Sequence, residues 1–245
     1  MKFCSFLAPI SCSLLLSGGA AAAAVSQNPG KDTTLCENPG GGQRSGASTF
    51  LMTGRVGTND ASPRRQGLLQ FDLSGIPAGA TSNNGPLTLQ LIKAKNNTST
   101  AATLQRVMGA WTQGTTNAGT TGNETTANPG DATWLHRTSP TPWTNPGGDF
   151  PGTASSTLNV GSLGSYAWSG SGLVTDVRFW LGNAPQNFGW IMRGHEVTPQ
   201  SVKEFSSRES AADPVLLINF TPVPEPSSVP LLLAVIGLAM RHRYV

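Results

Sequence analysis

The clearest pattern in the chain is Leu87-Thr88-Leu89-Gln90-Leu91, in which apolar and polar side chains alternate. Successive side chains of a β-strand point to opposite faces, so a period of two gives one apolar and one polar face. An antiparallel sheet with one face in solvent shows this pattern. The stretch therefore predicts a strand over residues 87–94 whose leucines face a core.

Six further short apolar segments are rich in Leu, Val, Phe and Trp and are bounded by Gly, Pro, Asn or Asp. These features indicate strands at residues 48–53, 66–73, 103–108, 166–168, 188–192 and 214–220. The 29 Gly and 18 Pro residues favour many turns and few long helices. The sequence therefore predicts an all-β, antiparallel β-sandwich.

Residues 173–181 differ from these segments, because Leu173, Val177, Trp180 and Leu181 recur at the spacing of one helix face. We expect one short helix here, crossing one end of the sandwich. A strand with aromatic side chains on both faces is the alternative.

The N-terminal segment, residues 1–24, has an early lysine, an apolar stretch and then a run of alanines. This order is typical of a secretory signal peptide with a small-residue cleavage site. A transmembrane anchor is the alternative interpretation, but small residues, not a charge cluster, follow the apolar stretch.

The C-terminal segment, residues 222–245, has three parts in order: a proline-rich spacer, an apolar helix candidate and a basic end. The apolar part is about 12 residues long, or about 18 Å as a helix. A comfortable membrane span needs about 20 residues. We therefore expect a C-terminal apolar helix that anchors the chain only transiently, with its basic end on the cytoplasmic side.

The net positive charge of the chain comes from its two terminal segments. The net charge is +3, but without Lys2, Arg241 and Arg243 there remain 13 basic and 13 acidic residues, or 12 acidic without Glu225. The domain at residues 25–221 is thus nearly neutral, and no nucleic-acid partner is expected. Its one cysteine, Cys36, is either a buried thiol or an intermolecular bridge.

Two irregular segments, residues 114–131 and 138–156, hold the candidate metal ligands. Carboxylate oxygens in glycine-rich loops suit calcium, so we predict a Ca²⁺ site formed by Asp131, Asp149 and Glu124. In the alternative, Asp131 caps a turn and Asp149 faces water.

The same loops hold the candidate ligand-binding aromatics, Trp134 and Trp143. Tryptophan faces stack on sugar rings, so the two side chains are predicted to form a glycan platform, with core packing as the alternative. Asp131 and Asp149 would support glycoside cleavage if held about 5–10 Å apart. The chain has neither the His-Glu-x-x-His nor the Gly-x-Ser-x-Gly pattern, so no catalytic motif supports an enzyme.

A succession of short motifs gives a family resemblance. They are Arg65-Gln66-Gly67-Leu68-Leu69-Gln70-Phe71-Asp72-Leu73-Ser74, Trp111-Thr112-Gln113-Gly114, Asn187-Phe188-Gly189-Trp190 and Phe205-Ser206-Ser207-Arg208-Glu209. In this order they resemble the DNRLRE-domain family of secreted bacterial proteins, over residues 32–220. The resemblance implies a jelly-roll-like β-sandwich akin to carbohydrate-binding modules. The chain departs from the family at Gln70, where the family usually has Arg.

Four residues of these motifs are predicted to have structural roles: Arg65, Asp72, Arg208 and Glu209. Arg208 precedes the last predicted strand, and Asp72 stands at the end of another. Because a guanidinium can hold a carboxylate through two hydrogen bonds, we expect Arg208 to fix a carboxylate between loops, with Asp72 as the candidate partner. A ligand-binding role for Arg208 is the alternative.

The tail resembles the PEP-CTERM sorting signal. The resemblance rests on Val223-Pro224-Glu225-Pro226, the apolar helix candidate and the basic residues Arg241 and Arg243. In that family an exosortase in the inner membrane reads the signal, and the rest of the protein is exported. The resemblance implies an exosortase-type partner and a Gram-negative host.

These features together predict an exported, non-catalytic protein of the cell surface or extracellular matrix. Its expected role is structural or carbohydrate-binding, with extracellular polysaccharide as a partner and calcium as a possible cofactor. Two alternatives stay open: a polysaccharide hydrolase or lyase that uses the loop carboxylates, and a purely structural protein without a ligand.

Overall fold

The structure is a computed structural model that describes residues 21–38, 43–117 and 125–223. The elements given below belong to the compact unit Ala22–Val223. Most of the predicted signal peptide lies outside the described residues. So does the predicted sorting tail, with Pro224, Glu225, Pro226, the apolar helix, Arg241 and Arg243. Within the described ranges, no helix is both long and apolar enough to cross a bilayer.

The described chain contains short strands, one α-helix and one 3₁₀ helix at Ala184–Gln186. The helix α1 spans Ser171–Gly182. The strands are β1 (Ala23–Gln27), β2 (Pro29–Cys36), β3 (Gln43–Ser45), β4 (Phe50–Arg55), β5 (Arg64–Phe71), β6 (Thr81–Asn84), β7 (Leu87–Ala94), β8 (Thr100–Arg106), β9 (Thr125–Thr126), β10 (His136–Thr138), β11 (Thr141–Pro142), β12 (Ser156–Val160), β13 (Gly164–Trp168), β14 (Trp190–Arg193), β15 (Lys203–Ser206) and β16 (Val215–Thr221).

Most of these strands form one antiparallel sheet that curls over itself. Its main path runs β1-β16-β7-β15-β4-β5-β14-β8-β12. The sheet folds over at β4, where Phe50 to Thr53 pair with β15 whereas Gly54 and Arg55 pair with β5. The two halves on either side of β4 face each other across a core. The predicted all-β antiparallel architecture with one short helix is confirmed in this form, as a curled, sandwich-like sheet.

The predicted strands and the helix are present at their predicted positions. Strand β7 has the predicted bounds, and its residues Leu87, Leu89 and Leu91 are buried. The other six predicted strands match observed strands to within three residues at each end. Helix α1 buries Leu173, Val177 and Trp180, which is the face that the spacing predicted.

The larger core lies between the two halves of the sheet, and we call it the sheet core. The leucines of β7 meet Phe205, Trp168 and Trp190 here, and helix α1 closes one end. Trp190 is the centre of an aromatic group, with ring centroids 4.6 Å from Trp180 and 6.1 Å from Phe71, both edge to face. Aromatic pairs prefer this arrangement over a face-to-face stack.

A second core covers the outer face of β5 and β14, and we call it the loop core. It consists of Leu35, Leu68, Val107, Trp111, Ala132, Trp134, Trp143 and Ile191. The segment that follows β8 folds back over these two strands and supplies most of these side chains. Neighbouring residues therefore enter different cores, as Leu68 and Leu69 do, and β5 is buried on both faces.

Candidate functional site

The two predicted ligand-binding tryptophans lie inside the loop core. Trp134 and Trp143 are each 4% exposed. The indole N–H of Trp143 donates to the Thr133 carbonyl at 3.0 Å, and the Arg64 guanidinium lies 4.9 Å from the Trp134 ring centroid. In this conformation neither ring offers a face to a sugar, and both match the core-packing alternative.

The predicted calcium ligands Asp131 and Asp149 each organise their own loop. One carboxylate oxygen of Asp131 accepts bonds from the Thr116 hydroxyl and the Asn128 N–H, at 2.5 and 2.6 Å. Both oxygens of Asp149 accept backbone N–H groups, from Thr144 and Asn145 at 2.9 Å. These are the turn-forming roles that short acidic side chains take in loops.

The third predicted ligand, Glu124, lies outside the described residues. In the part of the chain that is described, no group of three or more His, Cys, Asp or Glu residues is placed to hold a metal ion. The three-residue calcium site therefore stays a prediction. For a hydrolase or lyase, Asp131 is a poor candidate, because it is 1% exposed and a general acid or base must reach the substrate.

Arg65 and Cys36 are both buried in the sheet. The Arg65 guanidinium donates to the Arg64 carbonyl at 2.9 Å, and burial lowers the pKa of Arg65. The thiol of Cys36 lies 3.9 Å from the Thr34 carbonyl oxygen. Burial at these positions favours the buried-thiol interpretation of Cys36 over a bridge to another chain.

The expected pairing of Arg208 with Asp72 is wrong. Asp72 is exposed and accepts a hydrogen bond from the Ser74 N–H at 2.9 Å, which lowers the pKa of Asp72. The Arg208 guanidinium instead lies 3.1 Å from the Gln113 amide oxygen and 3.6 Å from a carboxylate oxygen of Glu209. Asp72 stands at the end of β5, and a local turn satisfies its carboxylate before any distant partner is needed.

Arg208 and Glu209 belong to a polar cluster around the buried Asp32. Asp32 is 0% exposed, and its carboxylate accepts the Arg208 N–H at 2.8 Å. Its own N–H donates to the Gln113 amide oxygen at 3.2 Å. Burial raises the pKa of Asp32 to about 8; the Arg208 N–H opposes this rise and the nearby Glu209 carboxylate adds to it. We call Asp32, Gln113, Arg208 and Glu209 the acidic cluster.

A groove of about 610 Å³ opens where β5 ends beside helix α1. Its walls come from the start of β2, the turn after β5, the last turn of α1 and the 3₁₀ helix. They include Gly30, Lys31, Gln70, Phe71, Asp72, Leu73, Ser74, Ile76, Ala78, Trp180, Leu181, Ala184 and Asn187. This is a mixed lining, with amide, carboxylate and hydroxyl groups next to apolar side chains. Pockets for small ligands commonly have this composition.

Two polar atoms of the groove residues have no hydrogen-bond partner among the described residues. They are the indole nitrogen of Trp180 and the amide oxygen of Asn187. Trp180 is 2% exposed, and the amide nitrogen of Asn187 is already committed to the Phe71 carbonyl at 2.8 Å. Both atoms are enclosed by protein, so neither can meet a ligand in the groove in this conformation. The exposed polar side chains of the groove are those of Asp72 and Ser74, on the turn after β5.

Gln70 and Lys31 complete the polar side of the groove. The Gln70 amide nitrogen donates to the Asn187 carbonyl, at the position where the resembling family usually has Arg. The Lys31 ammonium donates to the Trp111 carbonyl and lies 4.4 Å from the Trp111 ring centroid. Burial lowers the pKa of Lys31. Both side chains are therefore held in place by the protein itself.

Sequence reasoning missed this groove because its walls are far apart in the chain. Gln70 and the Asn187 motif were identified for their order in the chain, and Trp180 for its place on a helix face. The signal available in the sequence was the presence of two polar side chains, Gln70 and Asn187, beside otherwise apolar strands. Only the pairing of β5 with β14 shows that they meet.

A scan against protein-family models found no model that matches this chain. A search of curated proteins likewise found no matching relative. Function is therefore inferred from the residues and the geometry described above.

Proposed function

We propose that this chain is an exported, non-catalytic protein of the DNRLRE-domain type, with a jelly-roll-like sandwich that binds carbohydrate in the groove beside α1. The observation that carries the proposal is the groove itself, which places the exposed Asp72 carboxylate and Ser74 hydroxyl beside apolar side chains. A carboxylate accepts hydrogen bonds and a hydroxyl both donates and accepts them, so the two groups can serve the hydroxyl groups of a sugar.

The remaining chemistry of the groove fits the same ligand class. Leu73, Ile76 and Leu181 supply apolar surface next to these two polar side chains. A sugar presents hydroxyl groups around an apolar ring face, so it can use both kinds of wall. The nearly neutral charge of residues 25–221 sets no strong preference for a charged ligand.

The two ends of the chain support export as part of the proposal. Residues 1–24 have the order of a signal peptide, and residues 223–245 have the order of a PEP-CTERM signal. We propose that an exosortase-type enzyme sorts the chain while the C-terminal helix rests in the inner membrane. The protein then reaches the cell surface or the extracellular matrix. Mass spectrometry of the surface protein tests this, because retention of Tyr244-Val245 would contradict tail processing.

The carbohydrate proposal is tested by a glycan array and a reducing-sugar assay on protein purified after expression of the full chain. Binding without release of reducing ends is the expected result. Release of reducing ends, or of unsaturated products, would favour the hydrolase or lyase alternative. If neither binding nor turnover occurs, the purely structural alternative is correct.

Two matched variants locate the binding site. Ser74→Ala removes an exposed hydroxyl at the groove edge, so glycan affinity should fall about tenfold with little change in melting temperature. Ser165→Ala is the control, because Ser165 is an exposed serine on β13 that does not line the groove. It should leave both affinity and melting temperature unchanged. Equal affinity of Ser74→Ala and wild type would remove the Ser74 hydroxyl from the site.

A further inference from the structure

Three distant parts of the chain meet at the acidic cluster. Asp32 lies on β2. Gln113 follows β8, in the segment that supplies most of the loop core, and Arg208 and Glu209 follow β15. One Glu209 oxygen accepts from the Gln113 amide at 2.7 Å, and the other accepts from the Ser207 hydroxyl at 3.1 Å. The Gln113 amide also donates to the Gly46 carbonyl at 2.9 Å, which ties the β3–β4 connection to the same place.

With both carboxyl groups ionised, the cluster holds one more negative charge than its one cation neutralises. The Gln113 amide joins Asp32 to Glu209, because its oxygen accepts the Asp32 N–H and its nitrogen donates to Glu209. The remaining oxygen of Asp32, Oδ1, is buried and has no hydrogen-bond partner among the residues that the structure describes. The one cation of the cluster, the Arg208 guanidinium, is 40% exposed and approaches Glu209 from the solvent side. Two adjacent carboxylates with one unpaired oxygen need a proton or a second cation.

The loop carboxylate of Asp149 does not share this deficit. Both oxygens of Asp149 accept backbone N–H groups, so its charge is satisfied within its own turn. The Asp32 carboxylate accepts one backbone N–H. The other carboxylate of the cluster, on Glu209, has no proton to donate when it is ionised. Among the described residues, Asp32 Oδ1 is the one buried carboxylate oxygen without a hydrogen-bond partner.

We infer that Asp32 and Glu209 bind a divalent, oxygen-preferring cation, for which Ca²⁺ is the best probe. The protein donors are the carboxylate oxygens of Asp32 and Glu209, and water would complete the coordination of the cation. Calcium prefers such oxygen ligands and tolerates irregular geometry. The cation would link β2 to the segments after β8 and β15, and so fasten the loop core to the sheet. This inference is independent of the proposed carbohydrate site.

The experiment measures the melting temperature of the purified full chain in excess EGTA and then in excess Ca²⁺. Calcium at about 100 times its dissociation constant should raise the melting temperature of wild type by about 5–10 °C. Asp32→Asn and Glu209→Gln should abolish the shift. Asp149→Asn is the matched control, since it changes a carboxylate outside the cluster, and it should keep the full shift.

A direct binding measurement covers the case in which the Asp32 and Glu209 variants fail to fold. Terbium luminescence of wild type, excited through tryptophan and displaced by Ca²⁺ with a stoichiometry of about one, would support the site. No terbium signal and no calcium shift would overturn it, and a proton shared by the two carboxyl groups would then explain the pair. Loss of the shift in Asp149→Asn alone would also overturn it, in favour of the loops at residues 114–131 and 138–156.

Discussion

The sheet core and the loop core are built on opposite faces of the same two strands, β5 and β14. In the sheet core, the side chains come from strands and a helix, and alternation along each strand selects them. In the loop core, Trp111, Trp134 and Trp143 come from a segment with little regular structure. The difference shows that a tryptophan in an irregular loop is as readily a packing element as a ligand contact.

The tryptophan N–H groups show how each core is held together. In the sheet core, Trp190 donates to the Asp176 carboxylate on helix α1 at 2.8 Å. In the loop core, Trp143 donates to the Thr133 carbonyl only ten residues away, whereas Trp111 donates to the Phe188 carbonyl at 2.8 Å. The Trp143 hydrogen bond thus stays within the loop core, whereas the Trp111 hydrogen bond links the loop core to the segment just before β14. We expect the two cores to respond differently to truncation.

Trp190→Ala should have the largest effect. It empties the aromatic centre of the sheet core and leaves the buried Asp176 without its N–H donor. The free energy of unfolding should fall by about 3–5 kcal/mol, and both cores should be lost in one transition. Urea unfolding followed by fluorescence and circular dichroism measures this. A loss below about 1 kcal/mol would mean that the sheet core does not depend on this ring.

Trp134→Ala should cost less, about 3 kcal/mol, because a loop can close over a cavity better than a sheet can. Its distinctive result is local. Hydrogen exchange should quicken at residues 130–150, while protection of β7 and β16 stays near the wild-type level. If the exchange rates of both regions rise together, the two cores form a single cooperative unit.

How much of this could be predicted from the sequence depends on how local the signal is. Strand β7 was predicted with its bounds, because alternation within eight residues specifies both the strand and its buried face. Strand β2 was missed, although it pairs with β5 along nearly its whole length. Its residues Lys31, Asp32, Thr33 and Thr34 give no apolar alternation, because two of them serve the groove and the acidic cluster.

The candidate sites were predicted less well, for the same reason. Trp134, Trp143, Asp131 and Asp149 were selected because they crowd two loops in sequence, but proximity in sequence reflects how a loop folds on itself. The groove and the acidic cluster join residues about 80 to 180 positions apart, as the Asp32 contacts with Gln113 and Arg208 do. Such sites are specified by strand pairing, which no single segment encodes.

Gly147→Ala should have a smaller effect that is confined to the loop core. Gly147 has a φ of +93°, and a Cβ there would lie 2.9 Å from the Trp134 ring. The strain should cost about 1–3 kcal/mol. Gly152→Ala is the control, because it has open space around its Cβ position, and it should change stability by about 0.5 kcal/mol or less. In the Trp134→Ala background the steric part of the Gly147→Ala cost should disappear, and full additivity would contradict the contact.

The smallest expected effect is at the rim of the loop core, where Glu37 holds Arg64 over Trp134. The Arg64 guanidinium donates to both oxygens of Glu37, at 2.9 and 2.6 Å, and these bonds hold the pKa of Glu37 below its ordinary value of 4.5. A lowered pKa means that the stabilisation is present above the ordinary value and is lost as the pH falls through the folded value.

Glu37→Gln should therefore cost about 0.5–1 kcal/mol at pH 7, a value kept small because the pair is partly exposed, and less as the solution is acidified. Urea unfolding of wild type and variant at pH 7 and at pH 3 measures the difference. The matched control is Glu204→Gln on the opposite half of the sheet, where Glu204 pairs with the exposed Lys93 at 3.1 Å. That pair orders no aromatic ring, so its cost should be nearer zero at both pH values. Equal costs for the two variants would mean that Arg64 contributes an ordinary surface ion pair and does not help to close the loop core.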